Sequence, residues 1–182
     1  GLSKKQIHID FDMIAAINRK IIDKTANRYS FVENPIKLEI EKKPNIKSVE
    51  IPLHPDKKEK QTVKINDIYI SKKDYEEYRG KEIRLLHLYN IQLDKKEKKA
   101  NFTSTENKDI PRINWVSNPE KVSILMPNGE KIEGAAESTI KTLKYNEVIQ
   151  FERFGFVKLD KKAKDQYEFW FTHKWGERRK NV

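Results

Sequence analysis

The hydrophobic pattern of this chain changes period once, and that change constrains the fold more than any other feature. Up to about Ala26 the apolar residues recur every three or four positions. Ile14, Ile17, Ile21 and Ile22 share one helix face, and Asp10 or Asp12 can cap its start. Beyond that point the period becomes two, as strands require. Ile36-Lys-Leu-Glu-Ile40 alternates cleanly, followed by Val49-Glu-Ile51, Val63-Lys-Ile65 and Ile68-Tyr-Ile70. Pro35, Pro44, Pro52 and Pro55 punctuate these runs, where edges and turns accept a residue without an N–H.

A short helix is expected over Lys72 to Tyr78, capped by Ser71 and ended by Gly80. Strands are then expected over Ile83 to Leu93, Ala100 to Ser104, Ile113 to Val116 and Val122 to Met126. Val148 to Leu159 and Tyr167 to Phe171 complete the set. Asn128-Gly129, between Ser-Ile-Leu-Met and Lys-Ile-Glu, is the strongest hairpin signal. About ten short strands behind one helix indicate a barrel or sandwich rather than an α/β fold. The lysine-rich runs 57–60, 95–99 and 161–164 fall between strands and read as solvated loop tips that guard sheet edges.

Composition narrows the partners. Eight Phe, seven Tyr and three Trp separate the chain from aromatic-poor disordered tails. Lys and Arg number 38 against 28 Asp and Glu, and the net +10 makes a polyanion the first partner to consider. With no cysteine, disulfides, thiol nucleophiles and Cys-based zinc sites are excluded. No apolar run approaches the roughly 20 residues of a membrane-spanning helix. Gly1 to Ile9 lacks the apolar core of a signal peptide. A cytoplasmic location is the expectation, and the absence of an initiator Met suggests a piece of a longer protein.

Catalytic signals are sparse. His8, His54, His87 and His173 are far apart, and His87 lies in a strand pattern where a packed or half-exposed sheet residue is expected. There is no GxSxG, no HExxH and no Gly-rich phosphate loop. Ser3-Lys4-Lys5 and Ser71-Lys72-Lys73 each resemble part of the lysine–serine loop of class I aminoacyl-tRNA synthetases. Ser71 is better explained as a helix cap. Single-stranded RNA binding has better support, because Gln150-Phe-Glu-Arg-Phe-Gly-Phe156 combines cation, aromatics and an amide in one strand. Alternation places Gln150, Glu152 and Phe154 on one side and Phe151, Arg153 and Gly155 on the other, unless a bulge intervenes. A core strand in which Arg153 pairs with Glu152 fits the same residues.

Asn18-Arg-Lys-Ile-Ile-Asp23, Ala26-Asn-Arg-Tyr29 and Pro35-Ile-Lys-Leu38 resemble the entry to the anticodon-binding region of archaeal-type glutamyl-tRNA synthetases and their glutaminyl relatives. Ile51-Pro-Leu-His-Pro55, Ile68-Tyr-Ile-Ser71, Gly80-Lys-Glu-Ile-Arg-Leu85, Tyr89-Asn90, Ile113-Asn-Trp-Val-Ser117 and Val148 to Phe156 continue in family order. The resemblance covers nearly the whole chain. It implies a mainly β fold of two small β-barrels in tandem, preceded by a connecting α-helix at 1–30. The expected division is a proximal barrel of roughly 31–75 plus 145–182 and a distal barrel of roughly 76–144.

By the same resemblance, Arg28, Gln150 and Arg153 are expected to contact anticodon nucleotides, and Arg84 the RNA backbone. Arg79 and Lys81 are only approximate substitutes for a basic pair of the family, since this chain is shorter there. Family members also carry a nucleotide-binding catalytic domain with a His-Ile-Gly-His-like motif, which this chain lacks. No cofactor is therefore expected here; ATP and Mg belong to that catalytic domain, without which the chain should be inactive. The expected partners are tRNA-Glu, with tRNA-Gln as a further acceptor, and the catalytic domain of the same enzyme, with no membrane. Two alternatives stand beside this reading: the corresponding region of a glutamine–tRNA ligase, and a general RNA-binding β-barrel protein. A protein-interaction module whose charge serves solubility is a third.

Overall fold

The computed structural model describes residues 11–164 and 166–174. Asp10, His8 and the Ser3-Lys4-Lys5 stretch lie outside the described residues. Helix α1 (Phe11–Asp23) stops short of Ala26. The Ala26 N–H still reaches Ile22 O at 2.8 Å, so the last turn closes after the helix proper has ended. Ile17 and Ile21 are 53% and 61% exposed, so that part of the apolar face is not covered by the barrels.

Fifteen strands follow among the described residues. The first six are β1 (Arg28–Tyr29), β2 (Phe31–Glu33), β3 (Pro35–Glu41), β4 (Ser48–Pro52), β5 (Lys60–Lys64) and β6 (Ile68–Ser71). Helix α2 (Lys72–Tyr78) comes next, with the Ser71 hydroxyl accepting from Asp74 N at 3.0 Å as an N-cap should. This also settles Ser71 as a cap. Then come β7 (Glu82–Leu85), β8 (Asn90–Leu93), β9 (Lys99–Ser104), β10 (Arg112–Ile113), β11 (Glu120–Leu125) and β12 (Lys131–Ala136). After a 3-10 turn at Ser138–Thr142, β13 (Val148–Phe151), β14 (Gly155–Lys162) and β15 (Tyr167–Lys174) end the described fold.

Two sheets result. One has the order β10-β7-β8-β9-β3-β6 and curls into a nearly closed barrel. The other, β1-β13-β14-β15-β11-β12-β2, forms a curled half-barrel, and β4 and β5 make a separate hairpin. Alternation fills each interior: Leu38, Ile40, Ile83, Leu85, Ile91 and Ile113 pack the first. Val122, Ile124, Ile149, Phe151, Val157 and Phe169 pack the second.

The sheets divide the chain differently from the expected 31–75 plus 145–182 and 76–144. Strands β3 and β6 belong with β7 to β10, whereas β11 and β12 belong with β13 to β15. Long-range parallel pairings impose this exchange: Val122 faces Tyr167 and Glu39 faces Lys99. Alternation marks which face a residue takes but not which strand lies beside it.

Two expected strands are hairpins. Ile83 to Leu93 reverses at Leu86–Tyr89, and His87 occupies the turn at φ 63° rather than a sheet position. Val148 to Leu159 reverses at Glu152–Phe154. Neither turn carries the Asn-Gly signal that makes the β11–β12 reversal legible; there Gly129 takes φ 86° and Met126 N donates to Glu130 O at 2.8 Å.

Candidate nucleic-acid interface

The β13–β14 hairpin places the first part of the site. Phe154 N–H donates to Phe151 O at 3.0 Å, and Phe151 pairs with Gly155, so Glu152 to Phe154 project as a tight turn. Gly155 is required there: a Cβ would stand 2.7 Å from the Phe171 ring and 2.8 Å from His173 O. Arg153 adopts φ 61°, a left-handed conformation uncommon for a long side chain and often associated with function. Its guanidinium is exposed, and Nη1 donates to Arg112 O across the gap between the sheets.

Beside this turn lies a cleft of about 300 Å³ between the sheets. Phe31, Phe154 and Tyr78 supply aromatic surface; Arg153 and Lys73 supply cations. Asn114 closes its floor, with its amide donating to Glu152 O at 2.7 Å. Glu33, Asp74, Glu77 and Glu152 also line it, offering carboxylate acceptors to the amino groups of a base edge. Burial, and then Glu77 beside it, raise the Tyr78 phenol above its ordinary value, so it remains an O–H donor at neutral pH. Lys81 Nζ lies 5.6 Å from the Tyr78 ring centroid, and Arg79 lies 5.3 Å from that of Tyr75. The C-terminal end of α2 thus carries two exposed cations beside the cleft.

A second polar group sits inside, where the sheets and the β4–β5 hairpin meet. Arg28, Gln61, Trp115, Glu137 and Glu152 surround an enclosed space of about 10 Å³. Glu137 Oε1 accepts from Ser30 N at 2.7 Å and from Gln61 Nε2 at 3.0 Å. Burial pushes the Glu137 carboxyl up to about 7, outweighing these two hydrogen bonds. Burial also raises Glu152, opposed by Arg28 and Arg153, while burial and Arg84 hold His87 down. Trp115 fastens the junction by donating Nε1–H to Leu86 O at 2.8 Å, and Ser30 Oγ donates to Trp115 O at 2.6 Å.

The six residues expected to touch RNA therefore separate. Arg153 and Lys81 come together around Tyr78, and Arg79 lies exposed nearby. Arg28 is 20% exposed: Nη2 reaches half-exposed Asp23 at 3.4 Å, while Nε is buried at the junction without a partner among the described residues. Gln150, cross-strand from Arg28 and Phe156, is 1% exposed, its Oε1 likewise without a partner there. Arg84 spends its donors within the protein. Nη1 binds Asn90 Oδ1 at 2.9 Å, Glu106 O at 2.9 Å and Thr105 O at 3.2 Å, and Nη2 binds Leu88 O at 3.3 Å. The expected alternation does not reach Glu152, Arg153 or Phe154, because β13 ends at Phe151 and these three form the turn.

Tyr78, Asn114 and Glu137 were missed by sequence reasoning. Tyr78 had a legible signal, an aromatic at a helix end beside Arg79. Asn114 and Glu137 had none, since only the meeting of two sheets gives either its neighbours. His54 is 2% exposed, with Nε2 against Asp23 O at 2.6 Å and Nδ1 accepting from Asp56 N at 3.1 Å. It ties the helix end to the His-Pro loop. Among the described residues no group of three or more His, Asp or Glu side chains could hold a metal, and no helix is long and apolar enough to cross a membrane.

Two family models match the chain, over residues 26–109 and 93–160, and both describe the anti-codon binding domain of class I tRNA synthetases (E and Q). Curated relatives include glutamate–tRNA ligases of Pyrococcus horikoshii, 35% identical, Thermococcus onnurineus, 36%, and Methanocaldococcus jannaschii, 33%. Each similarity covers 96% of this chain and 33% of the relative, so the chain spans about a third of the length of the curated relatives it matches.

Proposed function

Because this chain belongs to the anticodon-binding domain family of the class I tRNA synthetases for Glu and Gln, we propose that it grips the anticodon arm of tRNA-Glu and reads an unpaired base. The observation that carries this is the cleft between the sheets, where Arg153 stands in a left-handed turn opposite Tyr78. A volume of about 300 Å³ accommodates a flipped base with its ribose, and the rim offers stacking, donors and acceptors. Arg153 reads the base edge, and Lys81 and Arg79 hold phosphates beside it. Arg28, Gln150 and Arg84 act from within, holding strand and turn geometry rather than touching RNA.

The relatives are glutamate–tRNA ligases, which supports glutamate over glutamine as the cognate amino acid. In this reading the catalytic domain of the same enzyme supplies ATP and Mg chemistry, the isolated chain forms no Glu-tRNA, and the protein works in the cytoplasm. The test is Arg153→Ala. Loss of a bidentate base contact should cost the cognate transcript about 1–3 kcal/mol while leaving anticodon-changed transcripts nearly unaffected. Equal losses for both would remove Arg153 from the reading role.

A further inference from the structure

Leu125 and Trp170 are exposed large apolar residues, at 37% and 46%, and they are Cα partners on the parallel strands β11 and β15. Single exposed apolar residues are ordinary on a protein surface; two in register form a patch. The row continues on both sides. Lys131 of β12 faces Leu125, and Lys158 of β14 faces Trp170 with its ammonium 5.0 Å from the indole centroid. Alternation sets this row on the outer face, since Ile124 and Phe169 point into the core. Lysine, leucine, tryptophan and lysine thus cross four neighbouring strands without a carboxylate. Glu133 and Glu168 lie one row away beside Ser123, Asp160 follows two residues after Lys158 on β14, and Glu168 pairs with Lys161 at 3.9 Å.

We propose that this row is a second RNA-binding surface, where an unpaired nucleotide stacks on Trp170 and Lys131 and Lys158 take the flanking phosphates. The proposal rests on the anticodon-arm reading for the identity of the RNA. Exposed indole between cations is the combination that binds single strands without regard to sequence. Cation–π contact with Lys158 keeps a positive charge at the ring where a phosphate would arrive. Lys158 lies on β14 three residues beyond Gly155, where the reading turn ends, or roughly 10 Å along the strand at about 3.3 Å per residue. That is about three stacked nucleotides at ~3.4 Å each, a span that one RNA strand held at the cleft can cover. The surface therefore adds affinity to an RNA held at the cleft and adds nothing to base choice.

The experiment titrates the chain, Trp170→Ala and the double variant Lys131→Glu/Lys158→Glu into a labelled tRNA-Glu transcript and its anticodon-changed counterpart. Sedimentation of the protein alone accompanies the titrations. Trp170→Ala should weaken both transcripts about tenfold with their ratio unchanged. The double variant, at exposed Lys131 and half-buried Lys158, should lower the slope of log affinity against log salt by about two. Parental affinity and slope in both variants would overturn the second surface, whether or not the parent discriminates anticodons. A dimer abolished by Trp170→Ala, with RNA affinity intact, would assign the row to a second copy of the chain instead. Loss of discrimination in the parent alone would count against the cleft reading and leave this surface standing.

Discussion

Arg28 lies in β1 and Arg153 at the turn that follows the neighbouring strand β13, and their guanidinium groups meet opposite surroundings. The first is 20% exposed and borders a junction with Gln61, Glu137 and Glu152 around a space of about 10 Å³. The second stands exposed at a cleft thirty times larger, with aromatic walls. The residue types are nearly the same in both places. Burial decides their use: a mostly enclosed cation has few donors within reach of a ligand, whereas an exposed one keeps donors for it. The junction should therefore answer to pH and stability measurements, and the cleft rim to RNA measurements.

The largest expected effect lies in the junction. Glu137 titrates near 7 in the fold against 4.5 for an ordinary glutamate, so the folded state binds its proton more tightly than the unfolded state. The stabilisation is fully present below pH 4.5 and is lost as pH rises through 7. At 1.36 kcal/mol per unit this amounts to something on the order of 3 kcal/mol. Urea unfolding at pH 5 and pH 8 should show Glu137→Gln losing much less stability between them than the parent. Equal pH dependence in both proteins would contradict the buried, proton-binding carboxyl.

Arg84→Ala comes next. It removes four hydrogen bonds that hold Thr105, Glu106 and the β7–β8 turn, and should cost about 2–3 kcal/mol in denaturant unfolding. RNA affinity per folded molecule should stay at the parental value; a selective loss of affinity at unchanged stability would return Arg84 to the RNA surface. The smallest effect belongs to Lys81→Ala. All RNAs should weaken alike by less than about 1 kcal/mol, with the salt slope falling by about one.

The hydrophobic period made much of this legible beforehand. Alternation from Ile36 onward marked the β-rich class, Ser71 and Gly80 bracketed α2, and Asn128-Gly129 fixed one hairpin. The family order of short segments pointed to the function. Two kinds of information were not local. The reversals at His87 and Arg153 use left-handed residues other than Gly or Asn, so the sequence runs through them without a turn signal. The parallel pairings of β3 with β9 and of β11 with β15 join residues far apart in the chain, and no period records them. Those pairings and reversals are what bury Gln150 and expose Arg153, two residues three positions apart that looked equally suited to RNA.

The most direct measurement is a titration of this chain into labelled tRNA-Glu transcript and the same transcript with its anticodon bases changed, each at two salt concentrations. Preference of tenfold or more for the native anticodon, about 1.4 kcal/mol, should persist at both salts, because base contacts and not phosphate contacts carry it. Equal and steeply salt-dependent binding of the two transcripts would contradict base reading at the cleft and leave only a basic surface that holds RNA.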